Sequence, residues 1–319
     1  MKAILVGFGV AGFSWYKRLR DRGLLAAVVE TDPAMKEKMG SDNFPFYTSL
    51  AEALDKEQAD FLVNVTSPMA HTVVNNAAFD RKLPVLCEKP ISFDYEESIQ
   101  IVQRAERENI SFMIAENYRC NAGIRKLKQL LEQGAIGRIS TIDILFYRYH
   151  HVQRKYTVSL LDDIGVHHFD MIRYLSGAEG QSVYAELYNP IGGWEEEGAV
   201  INTNAIIDME GGIKVSYTAS IASRGNQTPW AGNWRIEGTE GTIEYIDQVI
   251  YHIRDGVTTK IDDYSDVQAP DTLKEFLASL EEQREAETSG SDYLKTQTLV
   301  HFAKISSTEG RKVEIKHPN

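Results

Sequence analysis

The chain has 319 residues, 43% hydrophobic and 25% charged, proportions that exclude a disordered tail, a collagen-like fibre and a disulfide-stapled miniprotein. Single cores stop growing near roughly 250–300 residues, so the length points to about two domains. Lys and Arg number 34 against 46 Asp and Glu, a net charge of −12, which disfavours a nucleic-acid-binding surface and a face that docks on anionic lipid.

Strand and helix patterns alternate in the first part of the chain. A strand is expected over 3–6 and a helix over 10–22, with Lys17, Arg18, Arg20 and Asp21 on its wet side. Then come a strand at 25–30, a helix at 50–58, a strand at 61–65, a helix at 71–81, a buried strand at 84–87, a long helix at 95–108 and a strand at 111–115. Apolar strands alternating with amphipathic helices imply a parallel sheet covered on both faces. Ligands then bind beyond the carboxyl ends of the strands, at Gly7, Glu30, Thr66, Glu88 and Glu116.

The rhythm changes after about residue 120. A helix is expected over 122–133, stopped by Gly134, then a strand over 139–149, an irregular loop and a helix over 164–175. Residues 182–262 read as strands and tight turns, and apolar and polar residues alternate over 213–220 as in a half-buried antiparallel strand. Helices at 271–286 and 292–306 precede a short strand at 312–315. No apolar run approaches the roughly 20 residues that span a bilayer. The apolar start, interrupted by glycines, does not read as a signal peptide. Cys87 and Cys120 form no disulfide framework or metal knuckle, which fits a reducing cytoplasm.

Gly7-Phe8-Gly9-Val10-Ala11-Gly12 leaves an apolar strand and opens a helix. In a dinucleotide loop, Gly7 permits the tight turn, Gly9 lets a pyrophosphate approach the backbone, and Gly12 lets helix and strand pack closely. The competing reading is a turn with packing glycines. Glu30 ends the second strand, where a carboxylate takes ribose hydroxyls. No Arg or Lys adjoins it in sequence, so NAD is expected over NADP.

Glu88-Lys89-Pro90 follows the fourth expected strand, where a held lysine can meet a substrate hydroxyl; an ordinary surface lysine is the alternative. Asp163, His167, Asp170 and Tyr174 share one face of the helix expected near 164–175. An Asp one turn before a His can fix its tautomer, as a general base requires; a polar stripe with a capping Asp is the bland reading. His168 is expected in the core. His150-His151 and His167-His168 lack zinc-helix spacing, so no metal is expected.

Together these pieces resemble the Gfo/Idh/MocA family, named for glucose–fructose oxidoreductase and inositol dehydrogenase. Besides Gly7–Gly12, the matching segments are Thr66-Ser67-Pro68 with His71, Cys87-Glu88-Lys89-Pro90, Asn117-Tyr118-Arg119, Asp163-x-Gly165-x-His167-x-x-Asp170 and Glu237–Thr242. The stretch before Asp163 lacks the glycine pair many members carry.

The resemblance implies a Rossmann dinucleotide-binding domain over 1–120. Over 121–319 it implies a substrate and oligomerisation domain with an open, mostly antiparallel sheet covered by helices on one face. It implies a dehydrogenase moving a hydride between nicotinamide and a secondary alcohol or ketone of a sugar, cyclitol or sugar acid. Lys89, Asp163 and His167 become the catalytic set. Gly7, Phe8, Gly9, Val10, Ala11, Gly12, Glu30, Thr66, Ser67, Pro68, His71, Glu88, Lys89 and Asn117 become cofactor contacts. Lys89, Arg119, Arg148, Tyr149, Asp163, His167 and Trp234 become substrate contacts. Specificity is expected from loops 148–156 and 224–234 and from Trp194, with Arg148, Arg154, Lys155 and Arg224 as candidate anion ligands. Family members also suggest a homodimer or homotetramer built through the C-terminal sheet. An NAD-dependent glycosidase using transient oxidation, a non-catalytic ligand-binding regulator and an imine or pyrrole reductase are the other readings.

Overall fold

The computed structural model describes residues 1–151 and 159–318. The chain forms two compact units: Met1–Glu116 with Pro270–Leu294, and Asn117–Ala269 with Lys295–Asn319. A single cut after residue 120 therefore misses a returning segment.

The first unit holds strands β1 (Ala3–Val6), β2 (Leu25–Val29), β3 (Phe46–Tyr47), β4 (Phe61–Asn64), β5 (Val85–Cys87) and β6 (Phe112–Ile114), in the order β3-β2-β1-β4-β5-β6, all parallel. Helices α1 (Val10–Asp21), α2 (Leu50–Lys56), α3 (His71–Asp80) and α4 (Tyr95–Arg107) connect them. This is the doubly wound order whose direction reverses beside β1, the usual ligand crevice. Each residue of β1 is buried because neighbouring strands and both helix layers enclose it. Helix α7 (Thr272–Glu282) returns to this unit for a packing reason. Leu273 and Phe276 are fully buried in its core, and the Phe276 ring lies edge-on to Phe61 at 5.6 Å. Each such burial contributes roughly 1.5–3 kcal/mol. At the helix's N-cap, the Arg22 guanidinium donates to Asp271.

The second unit carries a nine-stranded sheet. Its strands are β7 (Ile139–Tyr147), β8 (Gly180–Tyr188), β9 (Asn202–Met209), β10 (Lys214–Ser220), β11 (Asn233–Gly238), β12 (Thr242–Ile246), β13 (Val249–Arg254), β14 (Val257–Ile261) and β15 (Val313–Glu314), in the order β14-β13-β12-β11-β7-β10-β9-β8-β15. Only β7 and β10 run parallel to each other; the other pairs are antiparallel. The period of two expected over 213–220 is present: Val215, Tyr217 and Ala219 point inward, while Lys214 and Ser216 stay exposed. Helices α5 (Ala122–Glu132) and α6 (Val166–Ser176) pack on the inner side. Phe169 of α6 meets Tyr217, and Gly123 of α5 leaves room for the Tyr245 hydroxyl. Helix α8 (Gly290–Glu309) has its residues from Lys295 onward in this unit. Among the described residues no helix is long and apolar enough to cross a membrane.

Candidate active site

In the first unit the glycine loop is built as its sequence implies. Gly7 has φ +94, and a Cβ there would lie 2.5 Å from the Val65 carbonyl oxygen. A Cβ on Gly12 would lie 2.1 Å from the Gly7 carbonyl oxygen, whereas nothing stands within 4 Å of one on Gly9. Gly9 also caps α1 without a side-chain hydrogen bond, and no acid sits in the first turn. The helix thus offers free N–H groups and its positive dipole end across open space. Val10, 93% exposed, stands at that mouth, while Phe8 is buried beneath it.

Glu30 faces the loop. One carboxylate oxygen accepts from the Phe8 amide at 2.8 Å, and the other from the Thr31 hydroxyl and the Asp32 amide at 3.0 and 3.2 Å. Burial pushes this carboxyl up, but those hydrogen bonds outweigh it and hold it below the ordinary value. It stays an acceptor with lone pairs left for hydroxyls. Sequence adjacency shows no cation near Glu30, yet the structure brings one to the same loop. The 3₁₀ helix Pro33–Met39 carries Lys38, whose Nζ donates to the Phe8 carbonyl at 3.4 Å.

The next two strand ends are joined by buried polar groups. Asn64 donates to Asn75 Oδ1 at 2.8 Å and to the His71 carbonyl at 3.2 Å, and its own Oδ1 accepts from the Thr66 hydroxyl at 2.8 Å. His71, expected as a cofactor contact, is fully buried instead. Its Nδ1 lies 2.7 Å from the Pro90 carbonyl oxygen and its Nε2 lies 3.2 Å from that of Thr66. The ring lies between the turn carrying Ser67 and Pro68 and the one carrying Lys89 and Pro90. The Lys89–Pro90 peptide is cis, and Lys89 is half-buried. Glu88 accepts from the Trp15 indole at 2.7 Å, which ties it to α1. Nothing in the alternation of strands marks Asn64 or Asn75; the visible signal is a polar residue inside an apolar run.

In the second unit, Asp163 does not lie on an α-helical turn. Leu161–Gly165 form a π-helical turn in which the Val166 amide reaches back to the Leu161 carbonyl, and α6 follows. The extra residue per turn shifts Asp163 relative to the α-helical face expected for it with His167. Gly165 lets the turn pack closely: a Cβ would meet Leu161 Cδ1 at 2.7 Å and the Tyr217 hydroxyl at 3.1 Å, and those side chains would have to move. His167 is 6% exposed and stacks on Tyr118, with ring centroids 4.2 Å apart and planes within 7°. His168 is a core residue, as expected: Nδ1 lies 2.9 Å from the Tyr217 hydroxyl and Nε2 2.9 Å from the Trp230 carbonyl oxygen.

Tyr118 also lines a cavity of about 460 Å³, together with Asn117, Cys120, Asn121, Arg148, Pro229, Trp230, Ala231 and Gln248. That volume suits a small-molecule site. Arg148 lies over the Trp230 ring at 4.4 Å, and its Nη1 donates to the Thr228 carbonyl at 2.6 Å. Its Nε is shut off from water without a hydrogen-bond partner. Such an unmet donor costs about 1–3 kcal/mol.

Three expected substrate contacts lie apart from the described lining of this cavity. Trp234 is 1% exposed in β11 and donates its indole N–H to the Ala231 carbonyl; the tryptophan at the cavity is Trp230, 38% exposed. Arg119 is buried and donates Nε and Nη2 to the two oxygens of Asp170, each at 2.6 Å. Thr296 adds a hydrogen bond to the same carboxylate at 2.8 Å. Arg119 therefore holds the fold of this unit. Tyr149 lies past the end of β7, exposed and bridged to Ala222, and is not among the described cavity residues. Arg224 is exposed and donates to the Gly192 carbonyl at 2.9 Å. Arg154 and Lys155 lie outside the described residues. Asn117, expected at the cofactor, lines the second unit's cavity. Tyr118 is an aromatic residue that sequence reasoning left without a role, and Trp230 is covered there only as part of the 224–234 loop.

A larger hollow of about 560 Å³ in the first unit is lined by residues around Ser111 and Phe112, at the amino end of β6 and hence at the wrong edge of the sheet for ligands. Its Arg284 already pairs with Glu275 and Glu282. Among the described residues no group of three or more metal-ligating side chains occurs.

Residues 1–116 match the family description "Oxidoreductase family, NAD-binding Rossmann fold", and residues 124–244 match the Gfo/Idh/MocA C-terminal domain. The chain belongs to the Gfo/Idh/MocA family. It is an oxidoreductase with an NAD-binding Rossmann unit. A D-apiose dehydrogenase of Paraburkholderia graminis is 27% identical over 85% of this chain and 76% of that protein. An inositol 2-dehydrogenase of Corynebacterium glutamicum is 26% identical over 68% of this chain and 66% of that protein. An uncharacterized protein of Sinorhizobium fredii is 25% identical over 65% of this chain, which spans 59% of its length. The fold matches an Agrobacterium radiobacter oxidoreductase solved with NAD+, L-tartaric acid and magnesium, at TM-score 0.88 and 22% identity over 98% of both chains. It also matches levoglucosan dehydrogenase with NADH and levoglucosan, at TM-score 0.83 and 20% identity over 99% of both chains.

Proposed function

We propose that the protein is an NAD-preferring dehydrogenase acting on a secondary alcohol, or the matching ketone, of a small carbohydrate or polyol. The observation that carries this is His167 held flat against Tyr118, which itself lines a polar cavity. Asn117, Asn121, Gln248 and the Tyr118 hydroxyl there offer donors and acceptors to a polyhydroxylated ligand. The named relatives that act on D-apiose and inositol support the same substrate class.

The open space at Gly9, the uncapped start of α1 and the Glu30 carboxylate suit NAD. When bound, nicotinamide supplies the hydride acceptor. His167 takes the hydroxyl proton, its imidazole serving as the general base. Asp163, four residues earlier in the chain, supports the imidazolium that forms, and Lys89 steadies the developing alkoxide. Glu30 favours NAD because a 2′-phosphate would meet its charge, and Lys38 moderates that preference.

We also propose a homo-oligomer through the outer face of the second unit's sheet, where Leu145 and Ile206 are exposed; light scattering at micromolar concentration checks it. The test of function is a panel of sugars, cyclitols and sugar acids with NAD, read as NADH absorbance. Tight NAD binding with no turnover on any member would refute the dehydrogenase reading.

A further inference from the structure

We propose that the substrate carries a carboxylate and that Arg148 is the residue that selects it. This rests on the dehydrogenase reading and narrows its substrate class to polyhydroxy acids. Among the described cavity residues Arg148 alone is charged; Asn117, Tyr118, Asn121 and Gln248 are neutral and polar. A single cation with no acid beside it is unusual in a chain of net charge −12. A neutral polyol has no need of it.

The guanidinium is also oriented. Its Nη1 is fixed on the Thr228 carbonyl, and its plane is held over Trp230 at 4.4 Å. That leaves the Nε–Nη2 edge, whose Nε has no hydrogen-bond partner. This is the edge that takes both oxygens of a carboxylate in two parallel N–H···O bonds. The same unit shows the geometry in Arg119, which binds Asp170 through Nε and Nη2 at 2.6 Å each. Nε is closed to water, so a carboxylate that takes both Nε and Nη2 must loosen the guanidinium from its Thr228 and Trp230 contacts. A phosphate dianion would call for a second cation, and none lines the cavity among the described residues. The anchor sits close to the chemistry in this unit: the Trp230 carbonyl holds His168, the neighbour of His167. A carboxylate on Arg148 thus sets how far along the substrate the reacting carbon lies.

The test compares matched pairs, an aldonate with its alditol and a uronate with its methyl ester, as kcat/KM with NAD. Wild type, Arg148→Met and Arg148→Lys are measured, with exposed Arg138→Met as control. Calorimetry follows binding of the same acids, and of inorganic phosphate, to the NAD-loaded protein. The acid should be preferred by on the order of 30-fold in wild type, as two charge-assisted hydrogen bonds allow. Arg148→Met should erase most of that ratio, chiefly through KM. Arg148→Lys should recover only part, since a point charge lacks the fork. Arg138→Met should leave the ratio unchanged.

An unchanged ratio in Arg148→Met overturns the proposal, as does a neutral partner used as well as its acid, or phosphate bound more tightly than the carboxylates. If Arg148→Met does not fold, the wild-type acid-to-ester ratio and the Lys variant decide. Acids that bind through Arg148 without NADH formation would leave the carboxylate site standing and remove the dehydrogenase reading. Alditols oxidised while acids neither bind nor react would do the reverse.

Discussion

At the carboxyl edge of the first unit's sheet, Gly7, Gly9 and Gly12 act through what they lack. Around the second unit's cavity, Tyr118, Arg148 and Trp230 act through bulk, charge and ring faces. The glycine edge offers backbone N–H groups and a helix end, which suit the constant part of a cofactor. The cavity is assembled from residues 117, 118, 120, 121, 148, 229–231 and 248, distant in sequence, and each can be exchanged without rebuilding a strand. A family that keeps one cofactor and varies its substrate needs that division of labour. Substitutions can test whether the division is real.

The largest expected effect is on turnover alone. His167→Ala and Lys89→Met should each lower kcat by roughly 10²–10⁴-fold, the range for a positioned acid or base. NAD affinity should stay within a few-fold. His168→Gln is the contrast: with its hydrogen bonds to Tyr217 and Trp230 lost, stability should fall more than chemistry. Single-turnover rates and nucleotide fluorescence on folded variants separate the cases. If NAD binding fell in step with turnover, cofactor and chemistry would not be separable in this way.

Next in size is cofactor choice. Wild type should prefer NAD over NADP by on the order of tenfold to a few hundredfold, from the hydrogen bonds and charge of Glu30. Glu30→Ala should flatten that ratio, and Lys38→Ala should widen it, because Lys38 is the cation at the loop. Both dissociation constants are read by fluorescence. A ratio that ignores Glu30 would place the ribose elsewhere.

Smaller again is a pair of glycine substitutions. Gly12→Ala forces a Cβ to within 2.1 Å of the Gly7 carbonyl oxygen and should destabilise the first unit by about 1–3 kcal/mol. Gly9→Ala meets open space, so denaturant midpoints should barely move while NAD affinity falls about tenfold. Equal stability losses would remove the claim that Gly9 is bare for a ligand and Gly12 for packing.

The same contrast explains what could be read from sequence. The glycine loop, the strand ends and the inward alternation of β10 were legible because each depends on contiguous residues. The tryptophans show the limit. Trp230 and Trp234 lie in one short stretch, and only the register of β11, which pairs Trp234 with Ile144 and Tyr245, decides which is core and which faces the cavity. Nothing in Asn117-Tyr118-Arg119 reveals that Arg119 belongs to Asp170, 51 residues on. A π turn at Leu161–Gly165 needs one extra residue that no periodicity announces. Lys38 reaches the glycine loop only because a 3₁₀ helix folds it back.

The smallest effect concerns His71, the clip between two ligand-facing turns of the first unit. Burial is the largest influence on its ring and pushes its pKa below the ordinary value, and the charge of Lys89 acts the same way. The carbonyls of Pro90, Thr66 and Ile91 pull upward but do not prevail. In the fold the ring is then neutral near pH 7, and its one N–H donates to the nearer acceptor, Pro90 at 2.7 Å. With the folded pKa depressed, the unfolded chain binds the extra proton first. The His71 contribution is therefore complete above about pH 6.5 and is lost as pH falls below it, by at most about 1.4 kcal/mol per pH unit. His71→Asn keeps a donor near the Nδ1 position and removes the titration. Urea melts of both proteins between pH 7.5 and 5.5, above the range where carboxylates protonate, should show the wild-type advantage shrinking as pH drops. An advantage that grows instead would mean that the ring is charged and donates to both Pro90 and Thr66, making the clip an ionic one.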